Sequence, residues 1–86
     1  MYLHLGQDTV VDFNDIIGIF DMDTTTVQKN SRVFLNKSEK RGEVVNVSFE
    51  LPKSFIVCNK KGENKVYISQ ISSSTLQKRS EFTDKY

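Results

Sequence analysis

Apolar and polar residues alternate from the start of the chain. Leu3 and Leu5 fall on one face of Tyr2–Leu5 and Tyr2 and His4 on the other, the pattern of a half-buried strand. Gly6-Gln7-Asp8 reads as a turn, and Thr9-Val10-Val11 resumes as a strand that Asp12 to Asp15 interrupts. Ile16 to Phe20 is a β-branched run of the kind buried on both faces, with Gly18 inside it to allow a bulge or a close backbone approach. After the polar stretch Asp21 to Thr26 the spacing predicts a helix over Val27 to Lys40, with Asp23 or one of the threonines as N-cap. Its apolar stripe, Val27 and Phe34, is broken at Ser31, so the packing face is narrow. Its end is marked by cations in the last turn and by Gly42 at the C′ position.

Beyond that glycine, Val45, Val47 and Phe49 alternate with Asn46 and Ser48, predicting a half-exposed strand from Glu43 to Glu50 that Leu51-Pro52 stops. Ser54 to Cys58 and Lys65 to Ile71 form the next two strands, joined by the polar, glycine-containing turn Asn59 to Asn64. A last helix follows, with Ser74 and Gln77 spaced as a capping box. The order is β-β-β-α-β-β-β-α. It predicts a small single α+β domain over residues 1–82, with a mainly antiparallel sheet, one central helix, a short C-terminal helix and a frayed tail at 83–86. The apolar face of the sheet must be covered by the helix or by a second copy of the chain.

A domain of 86 residues buries only about 60–65% of the surface its unfolded chain exposes. The single cysteine, Cys58, excludes an internal disulfide, and no Cys/His cluster has metal-ligand spacing, so self-association is the remaining source of stability. No secretory leader is visible, and the apolar runs fall far short of the roughly 20 residues a membrane span needs. A soluble, cytoplasmic protein without membrane contact is expected. Catalysis has little to stand on. His4 is the only histidine, Cys58 lies in an apolar strand with no local group to activate it, and no phosphate loop or nucleophile elbow occurs. Neither enzyme, metal, cofactor nor small-molecule substrate is expected.

Charge changes the picture more. The net +1 conceals a split: residues 1–50 carry five Lys/Arg against eight Asp/Glu, a net of −3, and residues 51–86 seven against three, a net of +4. Such asymmetry fits either a basic face meeting phosphates or an ordinary solvated surface. The helix entry at Ser72 to Thr75 is equally open to two readings: a cap with no ligand, or free N–H groups and a positive dipole end that take a phosphate. The candidate nucleic-acid contacts are Lys53, Lys60, Lys61, Ser74, Lys78 and Arg79. Phe55, Tyr67 and Phe82 interleave with cations too sparsely for a single-strand stacking platform and read as core.

Two blocks carry a resemblance. Met1-Tyr2-Leu3-His4-Leu5-Gly6, Val10-Val11 and Asp15 to Asp21 form the first, and residues 52–82, from the strand Lys65 to Ile71 into Ser72 to Arg79, the second. In order, spacing and total length they resemble the RemA/RemB family of bacterial extracellular-matrix (biofilm) regulators, RemB-like members more than RemA-like ones. Residues 22–51 carry no resemblance. The family implies a small cytoplasmic regulator that binds double-stranded DNA, assembles into a ring-like homo-oligomer and activates matrix genes. RemA-like members have several arginines just before the strand at Ser54, where Glu50-Leu51-Pro52 stand here, and only Lys53 matches the last of them. Arginine makes the bidentate guanine contacts that lysine makes less well. With three arginines in the chain, DNA affinity is expected from phosphate contacts and DNA shape. The alternative is an oligomeric protein-interaction module of the same fold without direct DNA contact.

Overall fold

The structure is a computed structural model that describes the backbone of residues 2–22 and 25–84 and the side chains of 2–22 and 32–79. The elements follow the expected order: β1 (Tyr2–Gly6), β2 (Thr9–Asp12), a single 3-10 turn (Phe13–Asp15), β3 (Ile16–Asp21), α1 (Thr25–Lys40), β4 (Val44–Asn46), β5 (Ser54–Lys60), β6 (Glu63–Ser69) and α2 (Ser73–Asp84). An N-cap at Asp23 or Thr24, the Val27–Ser31 face of α1, the side chain of Phe82 and the tail residues Lys85 and Tyr86 lie outside the described residues.

Four strands form one sheet in the order β3-β5-β6-β4, and β1-β2 is a separate hairpin. The β3–β5 and β5–β6 pairs are antiparallel, whereas β4 runs parallel to β6. Register sorts the side chains of the sheet into two faces. Ile19, Ile56 and Tyr67 stand opposite one another on one face and pack with Leu3, Leu5, Val11 and Leu76, so the hairpin and α2 cover that side. Phe20 and Phe55 pair on the other face, where their rings stack at 5.1 Å and Phe34 of α1 leans on Phe55 at 6.2 Å. The domain therefore has three layers: hairpin with α2, sheet, and α1.

Buried serines tie the layers together. Ser69 Oγ donates to the Leu5 carbonyl at 2.6 Å and Ser54 Oγ to the Ile71 carbonyl at 2.7 Å, which satisfies backbone acceptors that burial would otherwise orphan. Gly6 sits at φ +121°, and a Cβ there would stand 3.0 Å from the Gln70 amide, so both conformation and space require glycine. The end of α1 is as expected. Glu43 N–H bonds to the Ser38 carbonyl and Gly42 N–H to the Glu39 carbonyl, with Gly42 at φ +72°: a Schellman motif.

Two strands differ from expectation. Ile16 to Phe20 is not buried on both faces: β3 is an edge strand, and Ile17 is 65% exposed. A register shift between Ile16 and Gly18 lets Ile16 and Ile19 both reach the core, which a simple alternation does not allow. The strand expected over Glu43 to Glu50 is only three residues long, with Val47 N–H adding one further bond to the Ile68 carbonyl. The chain then turns away to reach the start of β5, so Val47 is buried while Phe49, expected on the same face, is fully exposed.

Candidate nucleic-acid interface

Lys53 closes the loop before β5. Its N–H bonds to the Ser69 carbonyl and its own carbonyl accepts from Met22 N–H, which fixes the backbone at one end of the sheet and leaves the side chain exposed. Ser54 pairs with Ser69, so α2 begins at this same end. Lys60 and Lys61 lie at the other. β5 spans seven residues, or about 20 Å at roughly 3.3 Å per residue. The two-residue turn Lys61-Gly62 has φ of 51° and 85°, the type I′ geometry that matches strand twist. It is braced by Asn59, whose Oδ1 accepts from Gly62 N–H and whose amide donates to Asn64 Oδ1 at 2.7 Å. The structure thus brings Lys60 and Lys61 together and holds Lys53 away from them.

On α2, Ser74, Lys78 and Arg79 are exposed, and Ser74 and Lys78 share a face at i, i+4 spacing. Arg79 Nη1 donates to the His4 carbonyl at 3.0 Å, tying the helix to β1. The capping box expected of Ser74 and Gln77 gives way to a different cap: Ser72 Oγ accepts from Thr75 N–H at 3.3 Å, and Ser74 already lies inside the helix. Leu76, in the early part of the helix, has no exposed surface and packs in the core. Ser72→Ala should therefore cost about 0.5–2 kcal/mol, and Ser74→Ala far less. Denaturant midpoints of the two variants check the assignment. The helix entry also carries an anion of the chain itself, since Ser73 Oγ donates to Asp21 Oδ2 at 3.5 Å.

Three cations outside the expected set join Lys60 and Lys61. Glu43 accepts from Val66 N–H through its carbonyl, so the parallel pairing of β4 with β6 carries Lys40 and Arg41, at the end of α1, to the turn end of the sheet, where Lys65 also lies. Arg41 Nη1 stands 3.9 Å from Glu43 Oε1 in an exposed pair that adds little stability. Cations in the last helical turn are visible in the sequence, but only the strand direction reveals what they sit beside.

Near this end Cys58 and Tyr67 line a shallow groove of about 160 Å³ with Tyr2, Val10, Asp15 and Lys60. Burial, and then the Asp15 charge, push the Cys58 thiol from its ordinary 9 up to about 11, and burial raises Tyr67 as well. The folded chain then keeps a proton that the unfolded chain has lost, so stability present below pH 9 declines as pH rises towards about 11. Cys58→Ala should show a shallower decline in its urea midpoint over that window. Among the described residues no group of three or more His, Cys, Asp or Glu side chains is placed to hold a metal ion.

A family model described as RemA-like, extracellular matrix regulatory protein A-like, matches residues 2–79. The chain belongs to the RemA-like family. It is also 40% identical over 82 residues to extracellular matrix regulatory protein B of Bacillus subtilis (strain 168), an alignment covering 95% of this chain and 93% of that protein. The resemblance carried by the two terminal blocks is thereby extended across α1, β4 and the loop before β5 of this RemA-like protein. Among its described residues no helix is long and apolar enough to cross a membrane.

Proposed function

We propose that this RemA-like protein is a cytoplasmic, non-enzymatic transcriptional regulator of extracellular-matrix genes that acts as a homo-oligomer and binds double-stranded DNA through the phosphate backbone. Its family supplies the matrix-regulatory part of the reading. The observation that carries the DNA part is the group of cations at the turn end of the sheet, where Lys60, opposite Glu63, and Lys61 sit on a type I′ turn, with Lys65 on the same hairpin and Arg41 at the same end. Lysines are compact point charges that contact phosphates without reading bases. Two of the three arginines are engaged within the chain, Arg41 with Glu43 and Arg79 with His4, which supports weak base readout and leaves specificity to DNA shape.

The other candidate contacts belong to the proposal as flanks: the cation Lys53 at the opposite end, and the Ser74 hydroxyl with the cations Lys78 and Arg79 along α2. The helix entry is the weakest phosphate seat among them, because the Asp21 carboxylate already faces its dipole. A second reading, a protein-interaction module without DNA contact, draws support from the exposed Phe49 and Leu51. Chromatography on immobilised generic duplex DNA separates the two. Retention at low salt with elution as salt rises is the expected result, and complete flow-through at low salt favours the protein-interaction module.

A further inference from the structure

Where β4 leaves the sheet, Asn46, Ser48, Phe49, Glu50, Pro52 and Ile68 line an open cleft of about 340 Å³. The half-buried Ile68 pairs with Asn46 across the parallel strands and accepts the Val47 N–H on its carbonyl, so one side of the cleft belongs to the sheet itself. The other side is set by a local bond. Ser48 Oγ accepts from Glu50 N–H at 3.1 Å, a serine turn at the point where the chain departs from β4. Pro52 then fixes one backbone angle, and Lys53 after it is held by the Ser69 carbonyl and Met22 N–H. The cleft is thus built on backbone that is bonded at both ends.

Its lining discriminates by charge. Glu50 is the charged residue among those that line it, and Lys53 is outside them. Among the described residues nothing forms an ion pair or hydrogen bond with the Glu50 carboxylate. Asn46 adds an amide oxygen, Phe49 a fully exposed aromatic ring, and Pro52 and Ile68 apolar surface. A phosphate or carboxylate ligand would meet the like charge of Glu50. A wholly apolar ligand would take Glu50 and Asn46 out of water and leave them unpaired. An organic cation avoids both costs. A guanidinium suits the set best, because its planar fork takes both carboxylate oxygens, its face stacks on an aromatic ring and its hydration is weaker than that of an ammonium.

We propose that this cleft binds a small guanidinium compound, with Glu50 as its bidentate acceptor, Phe49 as its stacking face, and Pro52 and Ile68 against its alkyl stem. The volume falls in the range of about 300–1,000 Å³ found for small-molecule sites. Binding also gives the Phe49 ring, which the fold leaves in water, a cation to cover. The cleft lies at the Lys53 end of the sheet, and the length of β5, about 20 Å at strand rise, separates that end from the turn at Lys60 and Lys61. The site is therefore independent of the DNA reading.

Proton–nitrogen correlation spectra of the full chain, titrated with butylguanidine, butylurea and butylamine, test this. Butylurea has nearly the shape of the guanidinium without its charge, and butylamine has the charge without the fork. Butylguanidine should give saturable shifts at the amides from Asn46 to Glu50 and little change at Lys61 and Gly62, with both analogues at least about tenfold weaker. Glu50→Gln keeps the shape of an exposed side chain and should weaken butylguanidine by about tenfold or more, and Phe49→Leu by about two- to fivefold. The remaining cross-peaks report that each variant is folded. Equal affinity for butylguanidine and either analogue, unchanged affinity in Glu50→Gln, or no shifts at these amides overturns the assignment. A blocked arginine tripeptide that binds more than about tenfold more tightly than butylguanidine would put a partner protein's side chain in the cleft and overturn the small-molecule reading.

Discussion

Leu76→Ala should lower the stability of the domain by about 2–5 kcal/mol, the range for emptying a buried leucine site. Leu76 has no exposed surface and is the residue by which α2 enters the core, among Leu3, Leu5, Val11 and Ile56. A domain of this length has on the order of 4–13 kcal/mol in total, at roughly 0.05–0.15 kcal/mol per residue. The variant thus loses a large share of it. At roughly 4–8 °C per kcal/mol for a domain of this size, the melting temperature should fall by at least about 8 °C. Gln77→Ala, one position on and exposed, is the control and should melt within a few degrees of the parent. Equal melting of the two variants would mean that α2 does not pack as described.

The second large effect concerns DNA. Lys60→Ala combined with Lys61→Ala removes two exposed cations from a turn whose backbone is fixed by Gly62 and by the Asn59 bridge, so the fold should persist. Removing one phosphate-binding cation should reduce the salt slope of binding by about one unit, and the double variant by about two, with affinity weakened uniformly across sequences. Binding isotherms on two unrelated duplexes at matched salt check both parts. A slope equal to that of the parent would make this turn a solvated corner of the sheet.

Much of the fold was legible because local chemistry determines it. The alternation in Tyr2–Leu5, the glycine after the cationic end of α1 and the polar turn around Gly62 each specify an element without reference to anything distant. What escaped depends on neighbours far along the chain. Ile16 to Phe20 reads as doubly buried by composition, yet strand order places it at an edge and a register shift turns both Ile16 and Ile19 inward. The alternation of Val45, Val47 and Phe49 continues past the point where the backbone leaves the sheet, so Phe49 has core spacing and no core. Ser74 satisfies the capping-box spacing as well as Ser72 satisfies an N-cap, and residue spacing alone does not choose between them; in the fold it is Ser72 Oγ that takes the Thr75 N–H.

The candidate site was legible by residue type and not by place. Lys53 and Lys60 stand at opposite ends of β5, which follows from the seven-residue length of that strand once it is recognised. Lys40 and Arg41 lie at the same end of the sheet as Lys60, with β6 between, only because β4 pairs in parallel with β6, and nothing local in either segment announces that pairing.

On the proposed function, this RemA-like protein holds duplex DNA by its phosphates. Fluorescence anisotropy of a labelled duplex titrated with the purified protein between about 50 and 200 mM salt tests it most directly. Saturable binding is expected, with a log affinity that falls linearly with log salt and nearly the same slope for unrelated sequences. Absence of binding at the lowest salt, or an affinity indifferent to salt, would contradict it.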